Sequence, residues 1–228
     1  MKGCFLIGSG PSLNRIDVTR LRDYCTLAFN RSHLAWDAWG FHPTYYARLD
    51  PKGLKKSIQE VRDLLVTSRV QHFFLHESAQ QLGIESSPKV THVKMLSGDT
   101  FFAQTQMGSD FGNVGASSLQ ILAGLGYQRI VMVGVDGYYP SLDTKVSASV
   151  VYQKADPDHF HPDYASPTSR VSSLSAETVL GRWPKVAQAC KDRNIQVRLA
   201  SPGSALTCFE TIPFEDTLRW IGPLDQKD

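Results

Sequence analysis

Lys2-Gly3-Cys4-Phe5-Leu6-Ile7-Gly8-Ser9-Gly10-Pro11-Ser12-Leu13 is the stretch on which the fold turns. Four consecutive apolar residues, Cys4 to Ile7, predict a strand buried on both faces, as at the centre of a parallel sheet. Behind it, Gly8 and Gly10 allow a sharp turn and close approach of a ligand, and Pro11 suits the first position of a helix. A strand that breaks this way is expected to point free backbone N–H groups outward, a geometry that favours an anion, typically a phosphate. The third glycine of the dinucleotide fingerprint and the Gly-Lys-Ser/Thr of the P-loop are both missing. A tight strand-to-helix turn without a ligand is therefore the competing reading.

The same pattern of apolar run and polar break recurs along the chain. Thr26 to Phe29 predicts a strand ending at Asn30, and Tyr45 to Leu49 one ending at Asp50-Pro51. Val70 to Leu75, Val90 to Leu96 and Ile195 to Leu199 are further strands. Arg129 to Asp136 is the strongest buried strand and ends in Gly137-Tyr138. Between them, Leu13 to Tyr24 suggests a short helix or helical turns, and Pro51 opens an amphipathic helix on Leu54, Ile58, Val61 and Leu65. Glu77 to Leu82, Val114 to Leu125, Ser175 to Arg193 and Phe214 to Trp220 also read as helices, with Pro184 starting or kinking the third. Gly98 to Asn113 reads as a loop, and Pro140 to Ser173 has no sustained period. Such alternation predicts an α/β fold with a mostly parallel sheet flanked by helices. Ligands of such sheets sit outside the carboxyl ends of the strands, where Ser9, Asn30, Asp50 and Asp136 are expected to converge.

The 228 residues suit one domain with a substantial core, and 42% hydrophobic and 20% charged residues are ordinary for a globular protein. A formal charge of +2 is too small to argue for nucleic acid or an anionic membrane. Cys4, Cys25, Cys190 and Cys208 form no CxxC pair and read as buried reduced thiols. No apolar run has the length of a signal peptide or a membrane span, so a cytoplasmic protein is expected.

Asn30 offers a donor and an acceptor suited to a ribose hydroxyl or base edge, or caps the next helix. Asp50 either caps a helix or holds a ribose diol or a metal, and Asp136 either joins the site or orders the Gly137 turn. Asp156-Pro157-Asp158-His159-Phe160-His161-Pro162-Asp163-Tyr164 carries two histidines among carboxylates. His161 or His159 suits a general base near neutral pH; metal ligation and a solvated loop are the alternatives. Tyr138, Tyr139, Tyr152 and Tyr164 offer neutral donors to a phosphate. No lysine or arginine stands in a phosphate-binding motif.

Taken together, Ile7-Gly8-Ser9-Gly10-Pro11-Ser12-Leu13, Ile16-Asp17, Arg20-Leu21, Leu125-Gly126-Tyr127, Gly134-Val135-Asp136-Gly137-Tyr138 and Ser201-Pro202-Gly203-Ser204-Ala205-Leu206 resemble the bacterial sialyltransferases of glycosyltransferase family 42. The Gly-Pro-Ser-Leu turn, Asn30 and Asp50-Pro51 are also similar to a wider group containing hydroxymethylpterin diphosphokinase-like and Maf flagellin-modifying proteins. The resemblance implies one Rossmann-like nucleotide-sugar-binding domain over residues 1–228, with a lid or substrate loop at 140–174. It implies a CMP-activated sugar donor, a glycan acceptor and no required metal or other cofactor. Gly8, Ser9, Gly10, Pro11, Ser12, Asn30, Asp50 and Asp136 would line the donor site, and Asn113, Val114 and Gly115 would meet the donor at a helix start. Tyr138 and Tyr152 would hydrogen-bond the departing phosphate, and His161 or His159 would be the base. The family has Asn where Ser9 and Asp50 stand, and a Thr-Ser pair where this chain has Asn113-Val114. A Mg²⁺-dependent pterin-type pyrophosphokinase and a non-catalytic nucleotide-binding module remain alternatives, and homo-oligomerisation is left open.

Overall fold

Gly3–Ile7 forms β1, and in the computed structural model of the chain it lies near the middle of a parallel sheet with Cys4 to Ile7 fully buried. The structure describes residues 1–138, 149–151, 158–165, 170–172 and 176–223. Two 3₁₀ turns, Pro11–Arg15 and Val18–Leu21, lead to β2 (Thr26–Phe29). A third, Ser32–Ala35, runs into the single turn α1 (Trp36–Trp39) before β3 (Tyr45–Arg48). Next come α2 (Pro51–Lys56), α3 (Ile58–Thr67), β4 (His72–His76), β5 (Val90–Leu96) and β6 (Met107–Ser109). The chain continues with α4 (Val114–Gly124), β7 (Arg129–Val133), β8 (Ser149–Val151) and β9 (Arg170–Ser172). It closes with α5 (Ala176–Lys191), β10 (Gln196–Leu199), β11 (Glu210–Thr211) and α6 (Phe214–Ile221).

Among the described residues, nine strands make one sheet in the order β11-β10-β7-β1-β2-β3-β4-β5-β6, every pair parallel. β8 and β9 form a separate antiparallel ribbon. The fold is α/β and Rossmann-like. Alternation along the central strands sends Phe5, Ile7, Ala28, Tyr46, Phe73 and Leu75 to one face, under α1, α2, α3 and α6. Cys4, Leu6, Leu27, Phe29, Ala47 and Phe74 face the other layer, where α4 and α5 contribute Leu119, Leu122, Trp183 and Val186. Both faces are covered, which is why the central strands read as unbroken apolar runs.

Four sequence expectations need correction, and the first is the helix expected from Glu77 to Leu82, which is a 3₁₀ turn over Glu77–Ala79. The helix expected from Pro51 through Leu65 is broken at Ser57, where the backbone leaves the helical region and the Ser57 hydroxyl donates to the Gly53 carbonyl at 3.0 Å. The loop expected from Gly98 to Asn113 contains β6, because Met107 to Ser109 pair with Lys94 to Leu96 of β5. β7 stops at Val133, short of Asp136, because Gly134 turns the chain with φ +65°. α5 runs through Pro184. Cys4, Cys25, Cys190 and Cys208 are free thiols, the first three buried. Among the described residues no helix is long and apolar enough to cross a membrane.

Candidate functional site at the strand ends

β7, β1, β2 and β3 are consecutive in the sheet, so their carboxyl ends bring Asp136, Ser9, Asn30 and Asp50 to one rim. Sequence order reverses between β1 and β7, and crevices at such switch points are where ligands of open α/β sheets bind. Here that crevice is closed by the protein itself. Gly8 N–H donates to Val133 O at 2.7 Å and Gly10 N–H to Gly134 O at 2.8 Å. Ser12 donates to the Asp136 carboxylate through both its N–H, at 2.9 Å, and its hydroxyl. The turn, expected to leave N–H groups free for an anion, instead spends those of Gly8, Gly10 and Ser12 on β7 and its extension. Burial raises the pKa of Asp136 above the usual carboxylate range, and the two Ser12 bonds pull the other way. Pro11 opens the first 3₁₀ turn as the sequence predicts.

One strand further along, the rim is more open and more polar. Asn30 takes the left-handed conformation, φ 57°, which puts its side chain at the end of β2. Its carbonyl accepts from the Tyr46 hydroxyl, and its Oδ1 from Arg48 Nη1 at 3.2 Å. Asp50 is exposed and accepts from the N–H groups of Lys52 (3.1 Å) and Gly53 (2.9 Å), so it caps α2. Ser9 is partly exposed on the turn after β1.

The segment 158–165 lies across this rim. Ser9 O accepts from Phe160 N–H at 3.0 Å, and Phe160 O accepts from Asn14 Nδ2 at 2.8 Å. Arg31 Nη1 donates to the carbonyls of Asp163 and Tyr164, both at 2.6 Å. The Phe160 ring is buried against Trp39, 6.0 Å between centroids. Burial raises the pKa of the Tyr164 phenol, while Ser9, the Arg48 charge and Asn30 beside it act in the opposite direction. His159 stacks on Tyr164 with ring centroids 3.8 Å apart and an interplanar angle of 12°. His161 instead turns Nδ1 into its own loop, where it accepts from Asp163 N–H at 3.2 Å. The two histidines are therefore placed differently: His159 packs on the tyrosine that covers the strand ends, and His161 does not.

On the opposite layer, Asn113 caps α4 by accepting from Ala116 N–H at 2.7 Å. The start of that helix approaches the end of β2: a Cβ on Gly115 would lie 3.6 Å from Phe29 and 3.5 Å from Trp183. Val114 is the partly exposed first residue of α4. Tyr138 is 36% exposed after the Gly137 turn. Tyr152 and most of the expected lid, 140–174, lie outside the described residues. Among the described residues no three His, Cys, Asp or Glu side chains converge as metal ligands. Two surface depressions of about 550 and 530 Å³ lie away from the rim, one lined by Arg20, Tyr24, Glu215 and Leu218, the other by Glu77, Gln80, Val90 and His92.

Sequence reasoning missed Arg31 and Arg48. Both stand within two residues of a strand end already singled out, and Arg48 interrupts the apolar run Tyr45-Tyr46-Ala47-Arg48-Leu49. A charge inside a strand that is otherwise apolar was the available signal.

No family model matches the chain, and no curated protein matches it by sequence. The fold is similar to that of a Maf glycosyltransferase from Magnetospirillum magneticum AMB-1, with a TM-score of 0.58 at 13% identity; the match covers 92% of this chain and 33% of that one. The chain thus spans about a third of that protein's length. It is also similar to the sialyltransferase CstII from Campylobacter jejuni, solved with a substrate analogue, cytidine-5'-monophosphate: TM-score 0.55, 16% identity, covering 93% of this chain and 85% of that one. At these identities what is shared is the fold, a parallel Rossmann-like arrangement that two glycosyltransferases also adopt.

Proposed function

We propose that the chain is a glycosyltransferase moving a sugar, of the sialic acid or related acidic type, from a CMP-activated donor to a glycan hydroxyl. The observation that carries this reading is the meeting of Ser9, Asn30 and Asp50 at neighbouring strand ends, with the histidine-bearing segment 158–165 packed over them. The likeness of the fold to two glycosyltransferases, one of them solved with a cytidine nucleotide, supports it.

In this reading Asn30 and Ser9 hydrogen-bond the nucleotide, and Asp50, whose oxygens keep unused lone pairs beyond the cap, accepts from a ribose hydroxyl. The start of α4 at Asn113, Val114 and Gly115 forms the opposite wall. Residues 140–174 act as the lid. His159, with His161 as the second candidate, removes the proton of the acceptor hydroxyl, while Tyr138 and Tyr152 donate to the leaving phosphate. Transfer proceeds without a metal.

The test is a transfer assay with a CMP-sugar and a glycan acceptor, run with and without a chelator, alongside thermal-shift measurements with CMP, CDP, UDP, GDP and ATP. Stabilisation confined to CMP, transfer that survives chelation, and its loss in His159→Ala with CMP binding intact are expected. Full transfer in both His159→Ala and His161→Ala refutes the histidine base. Stabilisation by ATP with an absolute need for Mg²⁺ points instead to pyrophosphate transfer.

A further inference from the structure

Arg48, the last residue of β3, is 7% exposed and shares a strand face with the fully buried Tyr46. Its guanidinium reaches the rim between β2 and α2. Nη1 donates to Asn30 Oδ1 at 3.2 Å, and the buried Nε has no hydrogen-bond partner. A Cβ on residue 53 would lie 2.6 Å from Asp50 Oδ2 and 2.9 Å from Arg48 Nη2, so glycine there leaves room for both the cap and the guanidinium.

The surrounding carboxylates are committed elsewhere. Glu60 faces Arg31 at 3.3 Å and His33 at 3.4 Å, and Asp50 accepts from the α2 N–H groups. Among the described residues no carboxylate forms an ion pair with Arg48. A charge taken out of water without a counter-charge is strongly unfavourable. The neighbouring Arg31 differs: its Nε is also buried without a partner, but its charge is paired with Glu60. A guanidinium fork with an unused edge, bonded to Asn30 and close enough to Tyr164 for its charge to act on the phenol, is built for an oxyanion.

We propose that Arg48 is the anion anchor of this site and contacts an oxyanion of the donor, a cation that no phosphate-binding motif announces. The assignment rests on the donor-site reading given above and sharpens it. A nucleotide phosphate and the carboxylate of an acidic sugar present the same chemistry, and the arms of the experiment separate them.

The experiment compares wild type, Arg48→Met and Arg48→Lys as full-length chains. Calorimetric titration uses CMP, cytidine, inorganic pyrophosphate and free sialic acid, and the ligand-free melting temperature is read for each variant. A charge-assisted contact carries about tenfold or more in affinity. If the anion is the phosphate, wild type prefers CMP over cytidine by at least that factor and Arg48→Met loses the preference. If it is the sugar carboxylate, the CMP preference stays and sialic acid binding is lost. In either case ligand-free Arg48→Met melts no lower than wild type, because an uncompensated buried charge has been removed, and Arg48→Lys keeps part of the affinity.

Arg48-dependent binding of pyrophosphate by a chain that ignores CMP supports the anchor while refuting the CMP-donor reading. Unchanged anion binding in Arg48→Met overturns the anchor, as does a wild type that binds none of the anions. Failure of Arg48→Met to fold, or a large drop in its ligand-free melting temperature that lysine does not restore, also overturns it, since Arg48 then serves only to hold Asn30.

Discussion

Gly8→Ala tests whether the opening turn is shaped by its neighbour strand or by a ligand. A Cβ on Gly8 would stand 2.2 Å from the Gly134 carbonyl oxygen, 2.7 Å from its carbon and 2.9 Å from a Val135 methyl. The obstacle is mostly backbone, so no side-chain rotation relieves it. Overpacking of this kind costs about 1–3 kcal/mol. Moving Gly134 aside also stretches the Gly8–Val133 and Gly10–Gly134 hydrogen bonds, at about 1 kcal/mol each. The sum is about 3–5 kcal/mol, which for a chain of this size lowers the melting temperature by roughly 10 °C. Thermal and urea unfolding of the ligand-free protein measure it, with Gly181→Ala in α5 as the control. Nothing lies within 4 Å of a Cβ there, and replacing a helical glycine with alanine stabilises by about 0.5–1 kcal/mol. If Gly8→Ala melts within about 2 °C of wild type, the packing argument is wrong and the glycine answers to something other than β7.

Two further predictions concern protonation. Burial pulls the pKa of His33 below the ordinary histidine value, with Glu60 opposing, and burial acts the same way on His42, His72 and His76. The unfolded chain takes up these protons near pH 6.5 and the folded one only at lower pH, so stability is complete above about pH 6.5 and falls as the pH drops through the folded values. Melting temperatures should decline on acidification from pH 7 to 5, and His33→Gln should make the decline shallower. Ser12→Ala removes the hydroxyl donor from the buried Asp136 carboxylate and should destabilise by about 1–3 kcal/mol at pH 7. The penalty should shrink as acid protonates Asp136, whose raised pKa brings that point above the usual carboxylate range; an equal loss at pH 7 and pH 4.5 contradicts it.

What the sequence reveals follows burial. β1 and β2 were legible almost to the residue because strands in a doubly covered parallel sheet are sustained apolar runs, and β5 was legible from its rougher alternation of apolar and polar residues. β6, the edge strand, reads Met-Gly-Ser and carries no such run, and β11 is two exposed residues; only pairing with a neighbour makes them strands. The break between α2 and α3 falls at Ser57, whose backbone leaves the helical region at a position helical periodicity does not mark. At the rim, the polar ends of β1, β2 and β3 stood out as residues, but their partners did not. Asp136 meets Ser12 across 124 positions and Asn14 meets Phe160 across 146, distances at which local pattern is silent. Asp50 turned out to cap a helix, the alternative its sequence position offered, and Asn113 caps α4, a role the sequence reading had not weighed.

The order of strands also bears on how the chain acquires its structure. β1 is made first, yet one of its two sheet neighbours is β7, whose Arg129 pairs with Gly3. Until that stretch has been synthesised, β1 can pair with β2 while its other edge stays open, with apolar side chains from Cys4 to Ile7 beside it. Closing the sheet therefore waits on a contact spanning more than half of these 228 residues, the kind of long-range closure that slows folding and lengthens exposure to aggregation. The first strand to be written is among the last to be completed.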